Sequence, residues 1–170
     1  MTAGHPDTGL LHDLAGHLLR HAFNRGQHTF EVTFKGEGIT PLQFMIVELV
    51  ASNDGVAHWQ IGEAMGTSAS VVTTTLKPLI EGGWISRQNS HGDRRRIIYR
   101  LTKRGAERHR NLRPRLASSE DLLLKALNES ERSEFKRMLL LVGGLAEAQH
   151  EAGENELTRN KGRENADAKA

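Results

Sequence analysis

The residues best able to do chemistry are a run of cations and a cluster of short hydroxyls. Between positions 87 and 115 stand Arg87, Arg94, Arg95, Arg96, Arg100, Lys103, Arg104, Arg108, Arg110, Arg113 and Arg115, and the acids in that window are Asp93 and Glu107 alone. Over the whole chain the formal net charge is only +2. The excess is therefore local, and a local excess of one sign is the footprint of a surface that faces phosphate. A solvated helix face is the plainer explanation of a charged run, but such faces mix signs and this one does not. Just upstream, Ser70, Thr73, Thr74 and Lys77 recur at helical spacing, opposite Val72, Thr75, Leu76, Leu79 and Ile80. Short hydroxyl side chains with one lysine suit a helix that lies in a major groove and reaches base edges.

A third group is His17 and His21, one helical turn apart. Two histidines at that spacing could supply half of a metal site or polar contacts for an anion, but a metal needs further ligands. His58 and His109 are the other histidines considered, and nothing in the spacing recruits either, so no metal site is assigned. Cysteine is absent, which removes disulfides, thiolate metal sites and cysteine-based oxidant sensing. There is no phosphate-cradling glycine loop, no HExxH and no GxSxG, and the acids are scattered rather than paired. No enzyme and no cofactor are expected. The longest apolar runs fall short of a membrane span, and the start MTAGHPDTGL lacks the basic and apolar regions of a signal peptide. The expected location is cytoplasmic, with no membrane partner.

These groups need a frame to hold them. From Leu10 to Phe23 apolar residues recur on one broad arc, which predicts an amphipathic helix. Thr40-Pro41 reads as an N-cap followed by proline at the first helical position, opening a short apolar helix that ends near Asn53-Asp54-Gly55. His58 to Met65 is a short helix, Gly66-Thr67-Ser68 the turn, and Ala69 to Glu81 the second helix of a helix–turn–helix, with Ser68 as its cap. Pro78 offers no N–H to the Thr74 carbonyl and is expected to bend or shorten that helix. After Gly82-Gly83, Trp84–Arg87 and Arg96–Leu101 read as two strands joined by a polar, basic loop, a wing. Thr102 caps a long helix that Pro114 should kink, with an apolar end from Leu122 to Leu127. Asn128 with Glu131 resembles a capping box for a last helix carrying Phe135, Met138, Leu139, Leu141, Val142, Leu145 and Ala146. Positions 151–170 have almost no apolar residues and read as a disordered tail. Hydrophobic residues are 37% and aromatics 5%, a lean core that suggests apolar surface buried against another subunit. The fold class is mainly α: a winged helix–turn–helix with a two- or three-stranded wing, and a helical dimerisation region.

In Thr40-Pro41-Leu42-Gln43-Phe44, the Leu79/Gly83/Ile85 spacing, Asp93-Arg94-Arg95-Arg96 and Leu101-Thr102-Lys103-Arg104-Gly105, the chain resembles the MarR family of winged-helix regulators. The similarity runs from about Leu10 to Ala148. Each piece alone is weak; their order and spacing are specific. The resemblance implies a homodimer whose first and last helices interlock, segments 1–35 and 103–150, around a DNA-binding segment 40–102. Two winged lobes would then read a pseudo-palindromic operator in double-stranded DNA, most often as a repressor. It also implies that Arg95 enters the minor groove while Asp93 orients it, a role that fits the negative potential of a narrow A·T groove. The bland alternative for this pair is an exposed ion pair worth little. The full set of expected DNA contacts is Ser68, Ser70, Thr73, Thr74, Lys77, Arg87, Asp93, Arg94, Arg95 and Arg96.

The stretch Gly16-His17-Leu18-Leu19-Arg20-His21 is similar to a subgroup of these repressors that controls degradation of aromatic acids. That likeness implies a small aromatic-acid effector between the dimerisation helices and the winged lobe. Its carboxylate would meet His17, Arg20 or His21, with Phe44 and Trp59 as apolar walls. Two other functions stay open on the sequence: a metal-responsive regulator of the same fold, and a nonspecific nucleoid-type DNA binder.

Overall fold

A computed structural model describes residues 7–89 and 97–146. These divide into two units, one ending at Leu123 and one beginning at Leu124. In the first unit a 3-10 turn, Gly9–Asp13, precedes α1 (Ala15–Thr33), α2 (Pro41–Ala51), β1 (Val56–Ala57), α3 (His58–Ala64) and α4 (Ala69–Glu81). Strands β2 (Ile85–Asn89) and β3 (Ile97–Leu101) follow, then α5 (Lys103–Leu112) and α6 (Arg115–Leu123). The second unit contributes α7 (Glu129–Val142), which buries none of its side chains. Among the described residues no helix is long and apolar enough to cross a membrane.

The helix starts follow from their caps. Thr40 accepts from Gln43 N–H at 3.3 Å while the Gln43 side chain accepts from Thr40 N–H at 2.9 Å, a reciprocal box ahead of Pro41. Asn128 and Glu131 close the same box on α7 at 3.0 and 2.8 Å. Thr102 accepts from Gly105 N–H at 2.8 Å and opens α5. The core of the first unit is built where α1, α2 and α4 meet the sheet. Phe30 and Phe34 stack with centroids 4.1 Å apart, Phe44 closes on both, and Ile46, Val47, Ile61, Val72, Leu76, Leu79, Trp84 and Ile85 are among the other members.

The sheet has three strands in the order β1-β3-β2, all antiparallel, with Ile85 opposite Leu101 and Asn89 opposite Ile97. β1 is two residues long, too short to leave a periodic signal in the sequence. Gln88 and Asn89 belong to β2 rather than to the loop expected there.

Four expectations need correcting. The first helix does not begin at Leu10: Leu14 is extended, so a separate 3-10 turn precedes it, and α1 runs on to Thr33 because Phe30 returns its face to the core. Pro114 does not kink one long helix but divides it into α5 and α6; the expected apolar end is split too, since α6 stops at Leu123. Pro78 does not shorten α4, which continues to Glu81. Pro78 is exposed and lies in the last turn, its own carbonyl accepts from Gly82 N–H at 2.9 Å, and the missing N–H concerns a single intrahelical bond. Ile80, expected inward, is exposed.

Candidate nucleic-acid interface

The reading surface is built from α3, the turn and α4. Gly62 lets the two helices cross closely, because a Cβ there would sit 3.2 Å from the Thr67 carbonyl and 3.7 Å from Val72. Gly66 takes φ +59°, a left-handed turn that favours glycine. Ser68 then caps α4 through Val71 N–H at 3.4 Å, and its hydroxyl lies 3.0 Å from that of Ser70. Val72, Leu76 and Leu79 anchor α4 in the core. That anchorage leaves Ser68, Ser70, Thr73, Thr74 and Lys77 together on the exposed side.

The hydroxyls are not idle there. Thr73 donates to Ala69 O at 2.9 Å, Thr74 to Val71 O at 3.0 Å, and Thr75 to Val71 O at 2.7 Å. Bonding back to the preceding turn lets a run of β-branched residues, poor helix formers, sit in a regular helix.

Beside α4 stands the β2–β3 hairpin, with Arg87 exposed on β2. The other wing residues expected to touch DNA, Asp93, Arg94, Arg95 and Arg96, lie outside the described residues, as does the expected tail at 151–170. The base of the hairpin is fixed to α5. Thr102 N–H donates to Trp84 O at 3.0 Å, Thr102 Oγ1 donates to Gly83 O at 2.6 Å, and the Arg108 guanidinium lies 3.9 Å from the centroid of the Trp84 ring.

The basic run is less uniform in space than in sequence. Arg100 pairs with Asp54, Arg113 with Glu48 at 3.0 Å, and Arg115 with Glu37 at 2.5 Å as well as with the Thr33 carbonyl. Each of these three arginines is matched by an acid distant in sequence. Lys77, Arg87, Lys103, Arg104 and Arg110 are exposed. Local counting missed the acids because they come from α1–α2 and the turn after α2, dozens of residues upstream.

The five residues expected around an effector fall in different settings. His17 and His21 pack edge to face on α1 with centroids 4.5 Å apart, and Arg20 is exposed beside them. Phe44 is 1% exposed, enclosed by Phe30, Phe34 and His109, so it serves the core and offers no open wall. Trp59 is 63% exposed on α3. An open groove of about 820 Å³ lies instead between α2 and α5, with Glu48, Ser52, His109, Arg110, Arg113 and Leu116 in its lining. None of these was singled out as an effector contact. Glu48 accepts from His109 Nε2 at 2.6 Å and from Arg113 Nε. Burial pushes the Glu48 carboxyl up, but the hydrogen bonds and charges of His109 and Arg113 outweigh it and hold the group below its ordinary range. Among the described residues no cluster of three or more His, Asp or Glu side chains could hold a metal.

Comparison with known proteins places this geometry. A model described as the MarR family matches residues 39–97, the stretch from the approach to α2 into the hairpin. A putative transcriptional regulatory protein for the hcr operon of Thauera aromatica is 27% identical over 123 residues, covering 71% of this chain and 72% of the relative. The transcriptional repressor MprA of Escherichia coli K12 is 28% identical over 106 residues, covering 61% of this chain and 60% of MprA. Among solved structures, the transcriptional repressor CouR bound to a 23-mer DNA duplex superposes with a TM-score of 0.75 at 26% identity, covering 82% of this chain and 99% of CouR.

Proposed function

Because the chain belongs to the MarR family of winged helix–turn–helix transcriptional regulators and is not an enzyme, we propose that it is a homodimeric repressor of a pseudo-palindromic operator. The observation that carries this reading is the exposed hydroxyl face of α4 beside the β2–β3 hairpin. In this reading Ser68, Ser70, Thr73, Thr74 and Lys77 meet the major groove. Arg87, Arg94 and Arg96 meet phosphate, and Arg95, oriented by Asp93, enters the adjacent minor groove.

The dimer is supported by apolar side chains left open on the chain's flanks. Leu14, Leu18 and Phe23 of the N-terminal segment are 51%, 49% and 63% exposed, and on α7 and just past it Leu141, Val142 and Leu145 are 55%, 74% and 51% exposed. Surface of this kind marks association sites. Segments 1–35 and 103–150 would supply the interface, and 40–102 the two reading lobes. A carboxylate-bearing aromatic effector would meet His17, Arg20 and His21 on α1 with Trp59 near it; Phe44 could join only after leaving its core position. Such a ligand acts by favouring a conformation that cannot bind DNA.

Selection from random duplexes, followed by sedimentation of the complex, tests the reading. A dimer on a two-fold-related site, preferred over random duplex by on the order of 10³-fold or more, is the expected result. A monomer on DNA, or equal affinity for every duplex, refutes it. Salicylate, hydroxybenzoates and hydroxynicotinates form the effector panel; if none changes DNA affinity or melting temperature, the aromatic-acid assignment is wrong.

A further inference from the structure

The Thr73 hydroxyl has two partners in two different helices. It lies 2.9 Å from the Ala69 carbonyl oxygen of its own helix and 3.0 Å from Nε2 of His58, the first residue of α3. A hydroxyl has one proton and two lone pairs, and a carbonyl can only accept. The Thr73 proton therefore goes to Ala69, and His58 must be the donor from Nε2. One lone pair is used by that bond. What Thr73 still offers to an incoming base edge is a single acceptor position and a methyl group, and no donor. Thr74 and Thr75 also spend their protons on α4 carbonyls. Among the described residues neither is bonded to another helix.

His58 is half-buried at the start of α3, with the Tyr99 ring 6.4 Å away, centroid to centroid. It is held against α4 by the same α3–α4 crossing that Gly62 permits. In the major groove the amino bases adenine and cytosine present an N–H donor from N6 or N4, whereas the keto bases guanine and thymine present an acceptor from O6 or O4.

We propose that His58 is a positioning residue for base recognition: by donating to Thr73 it fixes that hydroxyl as an acceptor, so that each half-site requires an amino base opposite Thr73. This rests on the DNA-binding reading of α4 given above. Without His58, the Thr73 hydroxyl is freer to rotate its proton toward the groove, and keto bases become acceptable.

The test takes the site selected from random duplexes with the full-length chain and measures relative affinity for every single-base variant of it. For the unaltered protein, one position in each half-site prefers A or C over G or T by about tenfold, the size of one good hydrogen bond. His58→Ala lowers that ratio to about twofold at that position only. His58→Gln, whose side-chain amide can also donate, restores most of it. Thr73→Val abolishes the preference at the same position and makes a second change at His58 silent there. A role confined to packing would lower affinity equally for all variants and leave the ratio alone. An unchanged ratio in His58→Ala, or a uniform loss, overturns the proposal while the regulator reading stands. If selection enriches no sequence at all, both fall.

Discussion

Replacing Gly105 with alanine probes the joint between wing and α5 most directly. Gly105 lies in the first turn of α5, and a Cβ built on it would stand 1.9 Å from the Trp84 carbonyl oxygen, 2.7 Å from its carbon and 2.9 Å from its Cα. Ordinary contact begins near 3.4 Å, so α5 and the start of β2 must separate by roughly 1.5 Å, and the obstacle is backbone that cannot swing aside. Overpacking of this kind costs about 1–3 kcal/mol and sometimes more. The separation also strains Thr102 N–H to Trp84 O and Thr102 Oγ1 to Gly83 O, each worth about 1 kcal/mol. Alanine returns about 1 kcal/mol of helix propensity, leaving a net loss of about 2–4 kcal/mol. With a urea slope of about 2 kcal/mol per molar, the unfolding midpoint falls by about 1–2 M. Gly26→Ala is the control: its Cβ would meet only Leu123 at 3.7 Å, inside α1, and should add about 0.5–1 kcal/mol. If Gly105→Ala unfolds at the same urea concentration as the unaltered protein, the close approach of α5 to Trp84 is wrong.

Arg95→Ala should weaken operator binding by at least tenfold, about 1.4 kcal/mol, with melting temperature and dimer mass unchanged; retained affinity in a gel-shift titration would contradict the minor-groove assignment. Log affinity should fall linearly with log salt, with a slope near −0.9 for each phosphate neutralised, and a flat plot would remove the phosphate-facing surface. Glu48 has a folded pKa below its ordinary value because His109 and Arg113 outweigh the effect of burial. The stability it contributes is therefore present above the ordinary glutamate range and is lost as pH falls through the lowered folded value. Glu48→Gln should flatten that part of the acid-unfolding profile, which melting curves recorded between neutral and strongly acidic pH would reveal; an unaltered profile would mean that the ion pairs contribute nothing.

Much of the frame was legible in the sequence because its signals are local. Thr40-Pro41, Gly66 with Ser68, Thr102 and Asn128 with Glu131 each mark a helix start within a few residues, and each cap forms where expected. The sides of α4 were readable from the 3.6-residue period, with Ile80 the exception at the helix end. What could not be read depends on partners distant in sequence. Arg100, Arg113 and Arg115 look like phosphate ligands until Asp54, Glu48 and Glu37 are folded onto them. Phe44 looks like a pocket wall until Phe30, Phe34 and His109 surround it. His58 carried no usable signal, since its one informative contact is with Thr73, fifteen residues on.

The joint at Trp84 has a mechanical corollary. Trp84 N–H donates to Leu79 O of α4, Trp84 O accepts from Thr102, and the Trp84 ring lies under Arg108 of α5. One residue thereby clamps the last turn of α4, the root of the hairpin and the first turns of α5 into a single crank. The compliant point along that arm is the Arg113–Pro114 break, where α5 and α6 part. Through Trp84, α5 is therefore tied to both the helix and the hairpin that the proposed function sets against the duplex.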